Sequence, residues 1–398
     1  MIFRRSKKLF YLVKSLLVIG SVSFGGYMAL IAMVRDKFVV RDKTVTDDQI
    51  SEAITIASLL PGPIAVNVVA YVGYTLSGLT GAFCSIAAVL LPSYLMVLAL
   101  SVLYVEFAST FDFNPIVAGT FPVVIALIFY MATTLWRKNC NSRVEILIAT
   151  LSFFVLLIFK SYLTIMLILI GAGGLGVLLT KPSDVKNSPA QLHFLFRYIA
   201  LILLLITFYF GIQYVCKPYF IWQIFDTFAQ ASITLFGGGY VMVPVLKSLL
   251  VDQLGWLSSE DFIFGISIGQ ITPGPILISS VFFGYKANGF MGSFLATAGM
   301  FVPTSVIMIL ATHFYTAIKT VRWLNTAMNG IKPAIVGLIL YSGVSLIFGS
   351  QLFSRKEYLL LLVLLVLFFL IRFQFSPMKA VILGALAGYF IHLISCYL

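Results

Sequence analysis

Apolar residues run through this chain in stretches of about twenty, the span of a bilayer core, and polar residues are confined to short breaks between them. The runs and their punctuation predict helices near 8–34, 49–76, 78–104, 115–136, 144–160 and 162–180. A second series is predicted near 222–250, 260–287, 289–315, 329–349, 357–373 and 376–396. Between them, 181–193 is polar, with Pro182, Ser183, Asp184, Asn187 and Pro189, and reads as a linker. An unpaired apolar run, 194–214, follows it. The fold expected is all-α and integral to a membrane. Residues 1–180 are expected to form a first repeat, 181–218 the linker and connecting helix, and 219–398 a second repeat.

The two series carry the same motifs. Phe24-Gly25-Gly26 recurs 212 residues on as Phe236-Gly237-Gly238, and Pro61-Gly62-Pro63 recurs at that spacing as Pro273-Gly274-Pro275. At a spacing of 211, Gly73-Tyr74, Gly78, Gly81, Pro92, Gly119, Pro122 and Tyr130 match Gly284-Tyr285, Gly289, Gly292, Pro303, Gly330, Pro333 and Tyr341. Six segments return the first copy to its starting side. The extra run then starts the second copy on the opposite side. Thirteen segments in two inverted, homologous repeats are therefore expected, an architecture of secondary transporters.

Composition agrees. Charged residues are 10% of the chain, against about 25% in soluble domains. The net charge of +12 sits in short loops beside apolar runs, where it sets topology, so nucleic acid is excluded as a partner. With a cytoplasmic N-terminus, inside segments hold 16 Lys and Arg and outside segments 9. The loop with Arg35, Lys37, Arg41 and Lys43 falls outside, against the bias. The basic N-terminus leads into a run too long for a cleaved signal and is read as a retained first helix. Cys84, Cys140, Cys216 and Cys396 have no metal spacing, and no metal or cofactor is expected.

Chemistry concentrates at the Pro-Gly-Pro motifs. Two prolines around a glycine break a helix, and Pro63 suits the first position of a new half-helix. The amides that follow, from Ile64 to Asn67 and from Ile276 to Ser279, are an anion site at a helix N-terminus. Inversion brings both breaks to one axis near mid-membrane. The substrate site expected comprises Gly25, Gly26, Pro61, Gly62, Pro63, Asn67, Gly237, Gly238, Gln270, Thr272, Pro273, Gly274 and Pro275. Asn67, Gln270, Thr272 and Ser279 supply hydrogen bonds, with Ser23 and Thr234 beside the glycine clusters. Alternative readings make the breaks packing kinks or hairpin tips, the hydroxyls interhelical glue, and Thr272 a cap on its own helix. Arg35 and Lys247 hold equivalent places and either attract an anion or anchor the interface. Asp48 and Glu260 precede the broken helix of each copy and support its start. Asp226 suits a helix N-terminus, and His313 an interface. No hydrolase, zinc-protease or phosphate-loop motif is present, so no catalytic residue is assigned.

The stretch Gly255-Trp256-Leu257-Ser258-Ser259-Glu260-Asp261, then Gly269-Gln270-Ile271-Thr272-Pro273-Gly274-Pro275 and Phe283-Gly284-Tyr285, resembles the second-half signature of the chromate ion transporter family. Phe236-Gly237-Gly238-Gly239-Tyr240 fits it too, as do Phe24-Gly25-Gly26, Leu60-Pro61-Gly62-Pro63 and Gly73-Tyr74 in the first half. Tyr27 stands where the family commonly has proline, and the tryptophan before the second acidic pair has no counterpart near Asp47-Asp48. The resemblance implies a prokaryotic inner-membrane exporter of a small oxyanion, chromate by name, with the bilayer around it and a homodimer open. Sulfate or an organic acid on the same fold is the alternative, followed by a membrane enzyme on lipid substrates and an assembly factor.

Overall fold

The computed structural model describes residues 2–24, 27–107, 112–179, 219–235, 239, 242–313, 322–349, 356–373 and 376–397. The expected linker, the connecting run 194–214, and Gly25, Gly26, Gly237 and Gly238 lie outside the described residues. Within them the structure is helical, with no strand. The first half holds α1 (Ile2–Val22), α2 (Tyr27–Arg35), α3 (Asp47–Leu59), α4 (Ile64–Glu106), α5 (Asn114–Asn139), α6 (Arg143–Ile158) and α7 (Tyr162–Leu179). The second holds α8 (Phe220–Ile233), α9 (Met242–Leu246), α10 (Ser259–Ile271), α11 (Ser280–His313), α12 (Arg322–Gly349), α13 (Lys356–Phe373) and α14 (Pro377–Tyr397).

Local chemistry starts the helices where expected. Thr46 and Gln49 form a capping box at α3, with Asp47 and Asp48 in its first turn. Ser258 and Asp261 do the same at α10, with Glu260 beside them. Each carboxylate meets the positive end of its helix.

α4 and α11 are each two arms. The backbone leaves the helical region at Ser77 and Gly78 (φ +67°), and again at Asn288 and Gly289 (φ +57°). A Cβ on Gly73 would strike the carbonyl of Gly81, and one on Gly284 that of Gly292. Residues eight apart in a straight helix stand about 12 Å apart, so the chain reverses at both points. The glycines permit the positive φ and the close approach.

The Pro-Gly-Pro segments are the tips of helical hairpins. In the second half, Phe262 stacks on Phe283 at 5.2 Å, and Asp261 pairs with Lys286 at 3.3 Å. Nearer the tip, Gly269 lies against Ile276. These pairs are symmetric about Pro273, which only antiparallel arms allow. The segment 260–287 therefore folds back on itself rather than running on past the break. α3 packs likewise on α4 across Pro61-Gly62-Pro63. The predicted single helix 8–34 is also folded. It is broken into α1 and α2, and Lys37 Nζ, beyond α2, donates to Tyr11 Oη at 2.6 Å. Tyr11 Oη donates to Asp42 at 2.8 Å, and these two acceptors raise the Lys37 pKa above its ordinary value. Phe220 and Trp256 meet at 5.3 Å at the corresponding place in the second half.

Close glycine contacts join the halves. Gly119 of α5 packs on Gly384 and Gly388 of α14, and Gly330 of α12 packs on Ala172 and Gly176 of α7. These are equivalent positions exchanged between the halves. Phe38, Phe121, Phe228, Phe262, Phe282, Phe283 and Phe301 fill the interior. The outside is apolar as well, with Leu167, Ile170, Leu178 and Phe348 among the most exposed large side chains described. Among the described residues, five segments are long and apolar enough to cross a membrane: Ile64–Glu106, Asn114–Asn139, Ile276–Thr312, Thr326–Gly349 and Pro377–Ile394.

Candidate functional site

Each hairpin tip reaches the other half. Gly62 (φ +109°) donates its amide to the carbonyl of Leu235 at 2.6 Å, and Gly274 (φ +97°) donates to Ser23 at 2.9 Å. Leu235 and Ser23 are themselves equivalent, each directly before a Phe-Gly-Gly motif. Both tips are thus seated at the breaks α8–α9 and α1–α2 of the opposite half. Thr304 fills the space where a Cβ on Gly62 would lie, and Ser93 does so for Gly274. Both residues are fully buried.

The helix starts at the tips differ. Pro63 is the N-cap of the arm beginning at Ile64, not its first residue, with extended backbone (φ −73°, ψ 102°). Asn67 N–H makes the first bond, to Pro63, at 3.0 Å. The amides of Ile64, Ala65 and Val66 precede that bond and have no acceptor within the helix. After Pro275 the chain makes a 3₁₀ turn, Ile276–Ser279, with Ile278 N–H on Pro275 at 2.9 Å. Ile276 and Leu277 precede it.

The polar side chains fall into two groups. Asn67 is completely buried; its Nδ2 donates to the Pro61 carbonyl at 3.4 Å, and its Oδ1 has no partner among the described residues. Ser23 Oγ and Ser280 Oγ are likewise buried and unpartnered. By contrast, Thr272 caps the end of α10 and donates to Ile268 at 3.0 Å. Ser279 donates to Ile276, and Thr234 to Ala231, each at 2.8 Å. Gln270 is half-buried at the end of α10. Asp226 accepts from Gln230 at 2.8 Å, one turn along α8. The side chain of His313 lies outside the described residues. Arg35 pairs with Asp47 in the open, whereas Lys247, 4% exposed, pairs with Asp252 at 2.7 Å.

Sequence reasoning missed Ser93, Thr304 and a cluster at the mouth of the second hairpin. There Tyr104 Oη donates to Asp261 at 3.1 Å, Lys286 pairs with the same carboxylate, and Tyr285 Oη donates to Glu106 at 3.3 Å. The available signal was positional: Ser93 and Thr304 each follow a repeated proline, Pro92 and Pro303. Among the described residues no three His, Cys, Asp or Glu side chains gather as metal ligands.

A family model described as chromate transporter matches residues 10–177 and again 222–389. An uncharacterized transporter of Methanocaldococcus jannaschii is 27% identical over 379 residues, 95% of this chain and 93% of its own. A probable chromate transport protein of Synechococcus elongatus is 27% identical over 378 residues, covering 95% and 94%. A chromate transport protein of Cupriavidus metallidurans is 27% identical over 329 residues, covering 82% and 80%. No solved structure matches.

Proposed function

The chain belongs to the chromate transporter family, and from that premise we propose that it exports a tetrahedral oxyanion dianion, chromate by preference, through the site where the two Pro-Gly-Pro tips meet. The observation that carries this reading is the reciprocal seating of the tips, Gly62 on Leu235 and Gly274 on Ser23. Each seating sets a helix start, whose first amides have no acceptor within the helix, against the opposite half, the first of them followed by the buried Asn67. Positive helix ends favour an anion without a fixed cation to trap it. In lipid such amides require a ligand or protein around them.

The arrangement proposed is a pair of inverted repeats whose hairpins enter from opposite membrane faces. Contacts at the mouths support it. The long arm of α4 starts at the mouth of the first hairpin, at Gly78, and ends at Glu106. That length is about 40 Å of helix. At its far end, Glu106 and Tyr104 meet Tyr285 and Asp261 at the mouth of the second hairpin. The crossing segments of each half then become the long arm and the three helices after it. An even number of crossings per half keeps the inversion once the run 194–214 is added. The fold-back of α1 on α2 also brings Arg35, Lys37, Arg41 and Lys43 to the face of Arg4, Arg5, Lys7 and Lys8. The exception to the positive-inside bias disappears, which supports a cytoplasmic N-terminus in the inner membrane.

Energetics allow a uniport. One charge crossing 100 mV is worth about 2.3 kcal/mol, and a dianion about twice that, so a negative interior expels it. Proteoliposomes with an imposed potential test this against a panel of chromate, sulfate and an organic dianion. Chromate flux that reverses with the sign of the potential is expected. Flux of sulfate alone removes chromate as substrate, and flux indifferent to potential removes the electrogenic mechanism.

A further inference from the structure

The two breaks are equivalent in sequence but held differently. A Pro–Gly peptide at a break is bonded by neither flanking helix, and away from water both its carbonyl and its amide require partners. In the second break both partners come from the other half. Gly274 N–H donates to Ser23, and the Pro273 carbonyl accepts from Ser93 Oγ at 2.6 Å. In the first break the amide of Gly62 crosses to Leu235, but the Pro61 carbonyl accepts from Asn67 of its own hairpin. Thr304, the equivalent of Ser93, stands against Gly62 with its hydroxyl donated to Phe301 at 3.4 Å and 3.3 Å from that of Ser232. Ser279, the equivalent of Asn67, donates to Ile276.

We propose that Ser93 is a positioning residue that fixes the Pro273–Gly274–Pro275 tip to the first half, so that the Pro61–Gly62–Pro63 tip is the one that moves. This rests on the reading of the tips as the transport site. Among the described residues, freeing the second tip breaks two hydrogen bonds that cross between the halves, whereas freeing the first breaks one and leaves the Pro61 carbonyl satisfied. One mouth of the protein therefore opens more readily than the other.

The test uses the full chain in nanodiscs, without any anion, with its four cysteines replaced by serine. Ile64→Cys and Ile276→Cys place single thiols at equivalent buried sites just after each tip, to be labelled with a water-soluble maleimide. Ile64→Cys is expected to label about tenfold faster, the shift in open population that one net hydrogen bond supports. Ser93→Ala brings Ile276→Cys up to that rate, and Ser93→Thr, which keeps the hydroxyl, returns it. Equal rates with Ser93 in place, or an Ile276→Cys rate that ignores Ser93→Ala, overturn the proposal. Hydrogen exchange in the unsubstituted protein provides the same comparison should a variant not fold. Faster exchange after Pro63 than after Pro275 is expected, and the reverse order overturns it. No anion enters these measurements, so a failure of chromate transport alone removes the substrate and not the asymmetry.

Discussion

Gly62 gives its amide to the carbonyl of Leu235, in the other half of the chain, at 2.6 Å. The bond requires the positive φ of Gly62 and brings the peptide close to Thr304. Gly62→Ala meets both obstacles. A left-handed residue costs about 1–2 kcal/mol, and overpacking adds about 1–3 kcal/mol. Gly289→Ala is the control, because φ is +57° there but nothing lies within 4 Å of the added methyl. Thermal unfolding of purified protein is expected to show Gly62→Ala destabilised by clearly more than Gly289→Ala. Equal losses contradict the packing at the tip.

Arg35 and Lys247 occupy equivalent positions and make unequal ion pairs. The Arg35–Asp47 pair is more than half exposed, whereas Lys247 is buried beneath Asp252. Asp47→Asn is expected to leave stability almost unchanged, because solvent screens an exposed pair. Asp252→Asn strands a buried ammonium and is expected to cost about 3 kcal/mol, the low end for a broken buried pair because Asp252 is partly exposed. Chemical denaturation distinguishes the two, and equal costs contradict the burial of Lys247.

Gly330 packs so closely on Ala172 that any side chain there would strike the backbone of α7. Gly330→Val separates α12 from α7 and is expected to abolish a monodisperse, folded preparation in gel filtration. Gly171→Val, on the same helix α7 with nothing within 4 Å, leaves it intact. A well-folded Gly330→Val protein contradicts the exchange of helices between the halves.

Much of this was legible in the sequence, for identifiable reasons. Gly78 and Gly289 bound apolar runs, and the structure reverses there. The Pro-Gly-Pro motifs leave a helix no way to continue, so the breaks were legible too. The fold-back of 260–287 was not. An apolar run of that length reads alike whether it crosses the bilayer or turns at a tip, because both forms are sheltered from water. Only contacts such as Asp261 with Lys286 separate them. Ser93 was invisible for a related reason: a lone hydroxyl in an apolar helix usually bonds its own backbone, as Ser101 does with Val97 at 2.7 Å. That Ser93 bonds Pro273 depends on which helices meet. Thr272, expected either at the anion or as a cap on its own helix, donates to Ile268 at the end of α10.

The fold-back of α1 on α2 has a consequence for labelling. A cysteine replacing Lys43, in the loop before α3, is expected to react from the same membrane face as the N-terminus. Six full spans in the first half place it on the opposite face. Impermeant thiol reagents applied to right-side-out and inside-out vesicles separate the two.

Uptake of labelled chromate into inside-out vesicles, with wild-type protein and with Asn67→Ala, tests the central claim most directly. The Asn67 carboxamide is buried at the first tip, and its Nδ2 gives one hydrogen to the Pro61 carbonyl and has a second to offer an anion. Wild-type vesicles are expected to exceed protein-free ones. Asn67→Ala is expected to raise KM about tenfold, the value of one hydrogen bond to a charged group. Uptake with an unchanged KM places the anion elsewhere, and no uptake by folded protein contradicts chromate transport itself.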